Sequence, residues 1–287
     1  MKQENKLAIF ILCHENPNDV KTYKALRRYG YTRDDYFIVL DDEDTTIEEY
    51  VKNFGKEHVV TFSKDEIAKE FDEMDNNGNR SCVVYARNAC FKLAKQLGYT
   101  YFIELDDDYI EFQFRYVDNG KLRLVYPNNL DKVFDCVLEY YISVPNIKSL
   151  AFAQCGDLIG GSDAYNRKFL RKAMNSFICS TERPFKFNGR INEDVNTYCL
   201  EGSRGNLFCT IMDLIINQTD TQTNNKNGMT SIYSDTGTYR KSFYSVMCCP
   251  SFVKISMMGQ NYFRIHHNIK WNNAVPKIIS SRFKKER

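Results

Sequence analysis

The chain has 287 residues, 43% hydrophobic and 14% aromatic, a composition that excludes a disordered chain and suffices for a substantial core. Its formal charge of +2 excludes the global basic field of many nucleic-acid binders, though not a local basic face. No apolar run approaches 18 residues, and the ten cysteines include no C-x-x-C pair, so a membrane helix, a zinc knuckle and a redox pair are all unsupported.

Leu7 to Cys13 (LAIFILC) is a continuous apolar run and predicts a buried strand. A polar turn from His14 follows, with Asn18 or Asp19 placed to cap a helix over Val20 to Tyr29 and Gly30 at its end. A second buried strand, Tyr36 to Leu40, runs into Asp41-Asp42. A helix over Thr46 to Phe54, a strand over His58 to Phe62 and a helix over Asp65 to Met74 come next. The loop from Asp75 to Arg80 leads to a strong helix, Val83 to Leu97. Tyr101 to Leu105 is another apolar strand, and it ends in three consecutive carboxylates, Asp106-Asp107-Asp108. The order β-α-β-α-β-α-α-β predicts an α/β fold with a Rossmann-type, mostly parallel sheet flanked by helices.

The second half reads as more mixed. Phe112 to Tyr126 alternates around Asn119-Gly120 and predicts a hairpin. Helices are expected over Leu130 to Ser143, from Ser162 or Asp163 to about Ile178, from Glu193 to roughly Gly202, and over Thr238 to Met247. Strands are expected over Ser149 to Gln154, Leu207 to Ile216, Phe252 to Ile255 and Tyr262 to His266. With no repeat or clear linker, one domain is expected. Residues 7–130 would form a nucleotide-binding half, 131–279 an acceptor half and 280–287 a basic tail. The polar N-terminus and scattered cysteines suggest reduced thiols and a cytoplasmic location.

In open α/β sheets the ligand lies beyond the carboxyl ends of the strands, where the acidic turns fall. Asp106 and Asp108 would share one side of an extended strand end and repel unless a cation separates them; the alternative is a solvated turn. Hard oxygen ligands suit Mg²⁺ or Mn²⁺, which take one or two carboxylates and complete their shell with phosphate and water. Asp41 or Asp42 can accept from a ribose or base, and His14 falls near the same cleft. No glycine fingerprint follows the first strand, so neither a dinucleotide site nor a P-loop is supported. Arg87 and Arg80 are phosphate candidates, and Asn88 can bond a base or sugar. Glu193 or Asp194 can deprotonate an acceptor hydroxyl, or simply favour a helix N-terminus. Either His266 or His267, but not both, could join the metal, since neighbours on a strand face oppositely. His58 reads as structural, and Trp271 as core or as a stacking platform.

Together these features resemble a nucleotide-sugar glycosyltransferase of the GT-A fold. More narrowly, YARNACFKLAKQLGYTYFIELDDDY, INEDVNTY, TQTNNKNGM with GTYRKSFYSVM, and RIHHNIKWN resemble the TET/JBP-associated glycosyltransferases of bacteriophages. The resemblance covers roughly Leu7 to Ile279. It implies transfer of a hexose or pentose from a UDP-sugar, with Mn²⁺ or Mg²⁺, to a hydroxymethylated pyrimidine in DNA inside an infected bacterial host. It implies Asp106 and Asp108 as metal ligands with His266 or His267, and Asp107 on the donor sugar or supporting the metal. Arg87 would face the diphosphate, Asp41 or Asp42 the nucleotide, and Glu193 or Asp194 the acceptor hydroxyl or donor sugar. DNA contacts would come from Lys186, Arg190, Arg204, Arg240, Lys241 and the tail from Arg282. A glycan, lipid or protein acceptor, a nucleotidyltransferase and a non-catalytic nucleic-acid or nucleotide-binding module are the competing readings.

Overall fold

The computed structural model describes residues 6–76, 78–158, 172–218, 237–258 and 263–274. Its first strand, β1 (Leu7–Leu12), is buried at all six positions, as its unbroken apolar run requires. β1 lies between β2 (Tyr36–Asp41) and β4 (Tyr101–Asp106), and β3 (Val59–Phe62) flanks β2; all three pairings are parallel. Beyond β4 the sheet becomes mixed. β5 (Tyr109–Asp118) and β6 (Lys121–Val125) form the expected hairpin, followed in the chain by β7 (Ile147–Gln154), β8 (Ser176–Ser180) and β9 (Leu207–Gln218). The nine strands run in the order β3-β2-β1-β4-β8-β7-β9-β5-β6. Strands of the second half thus sit inside one continuous sheet, between β4 and β5. This is the α/β architecture expected of the chain: a parallel first half, a mixed second half and helices on both faces.

Side-chain alternation divides the core into two layers. Ile9, Ile11, Ile38, Leu40, Ile103 and Leu105 point to one face. There they meet α1 (Lys21–Arg28), α2 (Ile47–Phe54) and α5 (Leu130–Ser143). Phe10, Leu12, Val39 and Phe102 point to the other. That face is covered by α3 (Lys64–Ala68), α4 (Val84–Leu97) and α6 (Glu193–Ser203). A separate ribbon of β10 (Val253–Met258) and β11 (Arg264–Ile269) packs on α7 (Gly237–Cys248), and α8 (Trp271–Ala274) follows it.

Two turns show why the chain bends where it does. Asn119 and Gly120 have φ of 49° and 73°, the left-handed pair a two-residue hairpin turn needs. Gly30, with φ of 84°, lies so close to Asn128 that a Cβ would stand 2.2 Å from its carbonyl oxygen.

Three expectations need correction. The helix predicted over Asp65 to Met74 is only Lys64–Ala68, because the chain then turns to let Glu73 meet Arg80 and Tyr85. Asn18 and Asp19 do not cap α1; its N-cap is Val20 with no side-chain bond, and Asp19 instead pairs with Lys21 and Lys24. The helix expected to reach Ile178 gives way at Ser176 to β8, whose five residues are all buried; the Gly160-Gly161 turn and the Ser162 or Asp163 cap lie outside the described residues. All ten cysteines are free thiols. No helix among the described residues is long and apolar enough to cross a membrane.

Candidate functional site

On β4 the residues facing α4 are Phe102, Glu104 and Asp106, one apolar and two acidic. Arg87, on α4, is the group that meets them. Its Nη2 donates to Asp106 Oδ1 at 2.8 Å and its Nε to Glu193 Oε1 at 3.1 Å. Its Nη1 lies 3.6 Å from Glu104 Oε2, too far for a hydrogen bond. The guanidinium is 1% exposed and lies over the Phe177 ring at 5.1 Å. One buried cation therefore serves three carboxyl groups, more acids than it can match were all of them ionised.

The protons respond accordingly. Burial pushes Glu104 well above the usual carboxylate range against the pull of Arg87, and neither of its oxygens has a hydrogen-bond partner. Burial and the neighbouring Asp194 push Glu193 up to about 7. Burial also raises Asp106, opposed by Arg87. Arg87 is held charged: burial disfavours its charge, but Asp106, Glu193 and Glu104 outweigh that cost. Glu193 opens α6 from Asn192, whose φ of 53° turns the chain into the helix. Asp194 Oδ1 accepts from the Val195 N–H at 2.7 Å.

β4 ends at Asp106, so strict alternation stops there and Asp107 and Asp108 form the turn into β5. Thr22 on α1 ties this turn down. Its hydroxyl donates to the Asp106 carbonyl and accepts from the Tyr109 N–H, while its own N–H donates to the Asp107 carbonyl. Burial, then Asp108 and Asp106, push Asp107 up to about 7. Among the described residues no three His, Cys, Asp or Glu side chains are grouped to hold a metal by themselves. The expectation that either His266 or His267 would join Asp106 and Asp108 thus finds no preformed ligand set among the described residues. The remaining donors are carboxyl oxygens of a cluster in which acids outnumber the cation. They fit Mg²⁺ or Mn²⁺, which need only one or two protein carboxylates beside phosphate and water.

A second polar cluster lies at the ends of β1 and β2. Asp41 is buried, with Oδ2 on His14 Nδ1 at 3.0 Å and Oδ1 on Lys64 Nζ at 2.9 Å and the Glu43 N–H at 3.1 Å. Both its oxygens thus have partners within the protein, which leaves Asp42 as the more open of the two acids expected to read the nucleotide. Asp42 is exposed and accepts from the Lys64 N–H. The hydrogen bond to Asp41 raises the His14 pKa. Burial pushes Asp41 up, but His14 and Lys64 bring it below the ordinary value.

Other candidates fall elsewhere. Asn88 is buried, donating to the Phe187 carbonyl and accepting from the Phe187 N–H, both at 2.9 Å; no side-chain valence faces a base or sugar. Arg80 pairs with Asp65 and Glu73 rather than with the strand-end acids. Arg87 is enclosed rather than open to a diphosphate. Arg190, expected on a DNA-facing surface, is 2% exposed and pairs with Asp75. Lys186 pairs with Glu70 and Arg204 with Glu201, while the tail and residues 221–229 lie outside the described residues. His58 is structural, with Nδ1 on the Tyr36 carbonyl and its ring stacked on Tyr36.

His267, on β11, is buried; its Nε2 lies 3.0 Å from Lys172 Nζ and its ring packs on His266 at 4.4 Å. Burial, then Lys172 and His266, drive its pKa down to about 3. Trp271 stacks on Tyr198. Glu104, Lys64, Thr22 and Lys172 were missed from sequence. Glu104 had a signal, an acid inside an apolar strand; the other three had none.

A model of the TET-Associated Glycosyltransferase family matches residues 7–228. No curated protein matches the chain. Among solved structures, glucosyl-3-phosphoglycerate synthase from Mycobacterium tuberculosis, in complex with Mg²⁺ and UDP, aligns over 93% of this chain and 88% of its own, at 9% identity and a TM-score of 0.46. A mannosyltransferase from Pyrobaculum calidifontis, in complex with GDP-Man and Mn²⁺, aligns over 77% of this chain and 59% of its own, at 12% identity and a TM-score of 0.46.

Proposed function

The chain belongs to the TET-associated glycosyltransferase family, and from that premise we propose that it moves a sugar from a UDP-sugar to a hydroxymethylated pyrimidine in DNA. The observation that carries this reading is the acidic excess around Arg87 at the end of β4. Asp106 and Asp108 would hold Mg²⁺ or Mn²⁺ there. Such an ion, when bound, offsets the charge that develops on the leaving diphosphate. Arg87 holds Asp106 and Glu193 at fixed positions rather than touching the donor. Asp42 and the half-exposed His14 face the nucleotide side of the cleft, with Asp41 holding the His14 ring. Glu193 or Asp194 takes the acceptor proton, and a carboxylate poised near 7 suits a base at neutral pH. Residues 7–130 and 131–279 are then donor and acceptor halves of one domain.

Intact-mass analysis of hydroxymethylated oligonucleotides incubated with nucleotide sugars and Mn²⁺ tests this directly. A mass increment equal to one sugar is expected, and unmodified DNA should gain none. The pairing of Lys186 and Arg204 and the burial of Arg190 favour the competing reading, a glycan, lipid or protein acceptor. Transfer that is insensitive to salt, or that occurs on such acceptors alone, would decide for it.

A further inference from the structure

A cavity of about 360 Å³ opens beside the β10–β11 ribbon, lined by Lys172, Ser256, His266, His267, Asn268 and Trp271 among others. None of its lining residues among those described is acidic. Lys172 Nζ donates to His267 Nε2 at 3.0 Å there, a lysine and a histidine held together. His267 is 5% exposed, and its Nδ1 has no hydrogen-bond partner among the described residues. A buried, unpartnered polar atom beside a lysine marks an incomplete site. Since Lys172 donates to Nε2, the proton of the neutral ring sits on Nδ1, and what completes this N–H and the remaining ammonium donors, with no acid among the described residues of the wall, is an oxyanion. Asp194 and Asp157 act on Lys172 electrostatically, but neither makes an ion pair with it or lines the cavity.

Position narrows the ligand. Asp194 acts electrostatically on both Lys172 and Asp106, and no residue of the Arg87 cluster lines the cavity among those described. Ser256 and Asn268 add neutral polar groups beside the cations, and Trp271 adds an apolar ring. A phosphodiester presents a single negative charge with sugar and base attached, matching cation, hydroxyl, amide and ring together.

We propose that this cavity seats a backbone phosphodiester of the acceptor strand. It is a second anion site, separate from the place of the donor diphosphate, and it orients the strand so that a modified base reaches Glu193 and Asp194. The inference rests on the DNA-acceptor reading above.

The probe is already in the wall, because Trp271 is the only tryptophan in the chain. Its fluorescence is followed in the full chain during titration with inorganic phosphate, a short single-stranded oligothymidylate, and UDP with Mn²⁺. Phosphate and the oligonucleotide should each change the emission and compete with one another, while UDP with Mn²⁺ should displace neither. Lys172→Met should weaken both by roughly tenfold, the scale of one lost charged hydrogen bond. The same variant should raise the KM for oligonucleotide and leave the KM for nucleotide sugar unchanged. Displacement of phosphate by UDP with Mn²⁺, or absence of any phosphate response in the unaltered protein, would overturn the proposal. If sugar is never transferred to DNA while phosphate and oligonucleotide still compete at Trp271, the acceptor reading fails and the anion site stands.

Discussion

Two buried ionic clusters lie at the carboxyl ends of parallel strands on either side of β1, and they differ in how their acids are matched. At the end of β2 one carboxylate, Asp41, meets two basic groups, His14 and Lys64. At the end of β4 one cation, Arg87, meets three carboxylates. Asp41 has both oxygens satisfied, whereas Glu104 has neither. Asp44 and Glu43 add their charges to His14 and Lys64, so the first cluster is closed. The second is left open on its negative side. The difference separates a cluster whose central acid is matched from one whose acids outnumber their cation.

The comparison breaks hardest at its hub. Arg87→Met removes the cation that, among the described residues, faces three buried carboxyl groups and should lower stability by about 3–5 kcal/mol, measured by urea unfolding. A loss below about 1 kcal/mol would mean that the carboxylates are already protonated and that the cluster is not over-charged. Asp106→Asn comes next. Transfer should fall at least roughly a hundredfold with the unfolding midpoint little changed. Mn²⁺ should raise the melting temperature of the unaltered protein and not of this variant; equal shifts in both would remove the metal from this strand end.

Asp41→Asn should cost about 1–3 kcal/mol, because His14 and Lys64 lose their buried counter-charge. The Mn²⁺ shift should survive that change, and its loss would show that the two clusters act as one. The smallest effect is on pH. His14 has a raised pKa, so its contribution is complete below 6.5 and fades as pH rises through the higher folded value. Asp41 has a lowered pKa, so its contribution is complete above 3.8 and fades as pH falls through the lower folded value. The pair should therefore stabilise most between those limits, and unfolding midpoints of Asp41→Asn should be flatter against pH on the alkaline side. Identical profiles would dissolve the pairing.

The sequence showed Asp41, Asp106, Glu193, His14 and Arg87 but not how they pair, and it missed Glu104 and Lys64. Asp41 and Asp106 stand out because each ends an apolar run that reads as a strand. Lys64 did not, since a lysine opening a short helix usually lies in solvent. Arg87 was visible as a functional arginine, yet its task was misread: linear position could not show that Glu193, 106 residues away, would fold onto the same guanidinium. The strand Ser176–Ser180 was absorbed into a helix because a five-residue apolar run has too few positions to separate the two periods. The parallel order of β1, β2 and β4 was legible, because runs buried on both faces alternate with amphipathic helices.

The bond pair between Asn88 and Phe187 bears on how the protein is made. It joins residues 99 apart, and the Arg87–Glu193 contact spans 106. Closing such long loops comes late in folding, since their entropy is spent before any contact rewards it. On a ribosome, the chain through β6 can form its parallel strands, but Arg87 meets Glu193 only after α6 has emerged. Synthesis of the second half therefore works as a timer: the acidic centre assembles when nearly the whole sheet is in place, and not before.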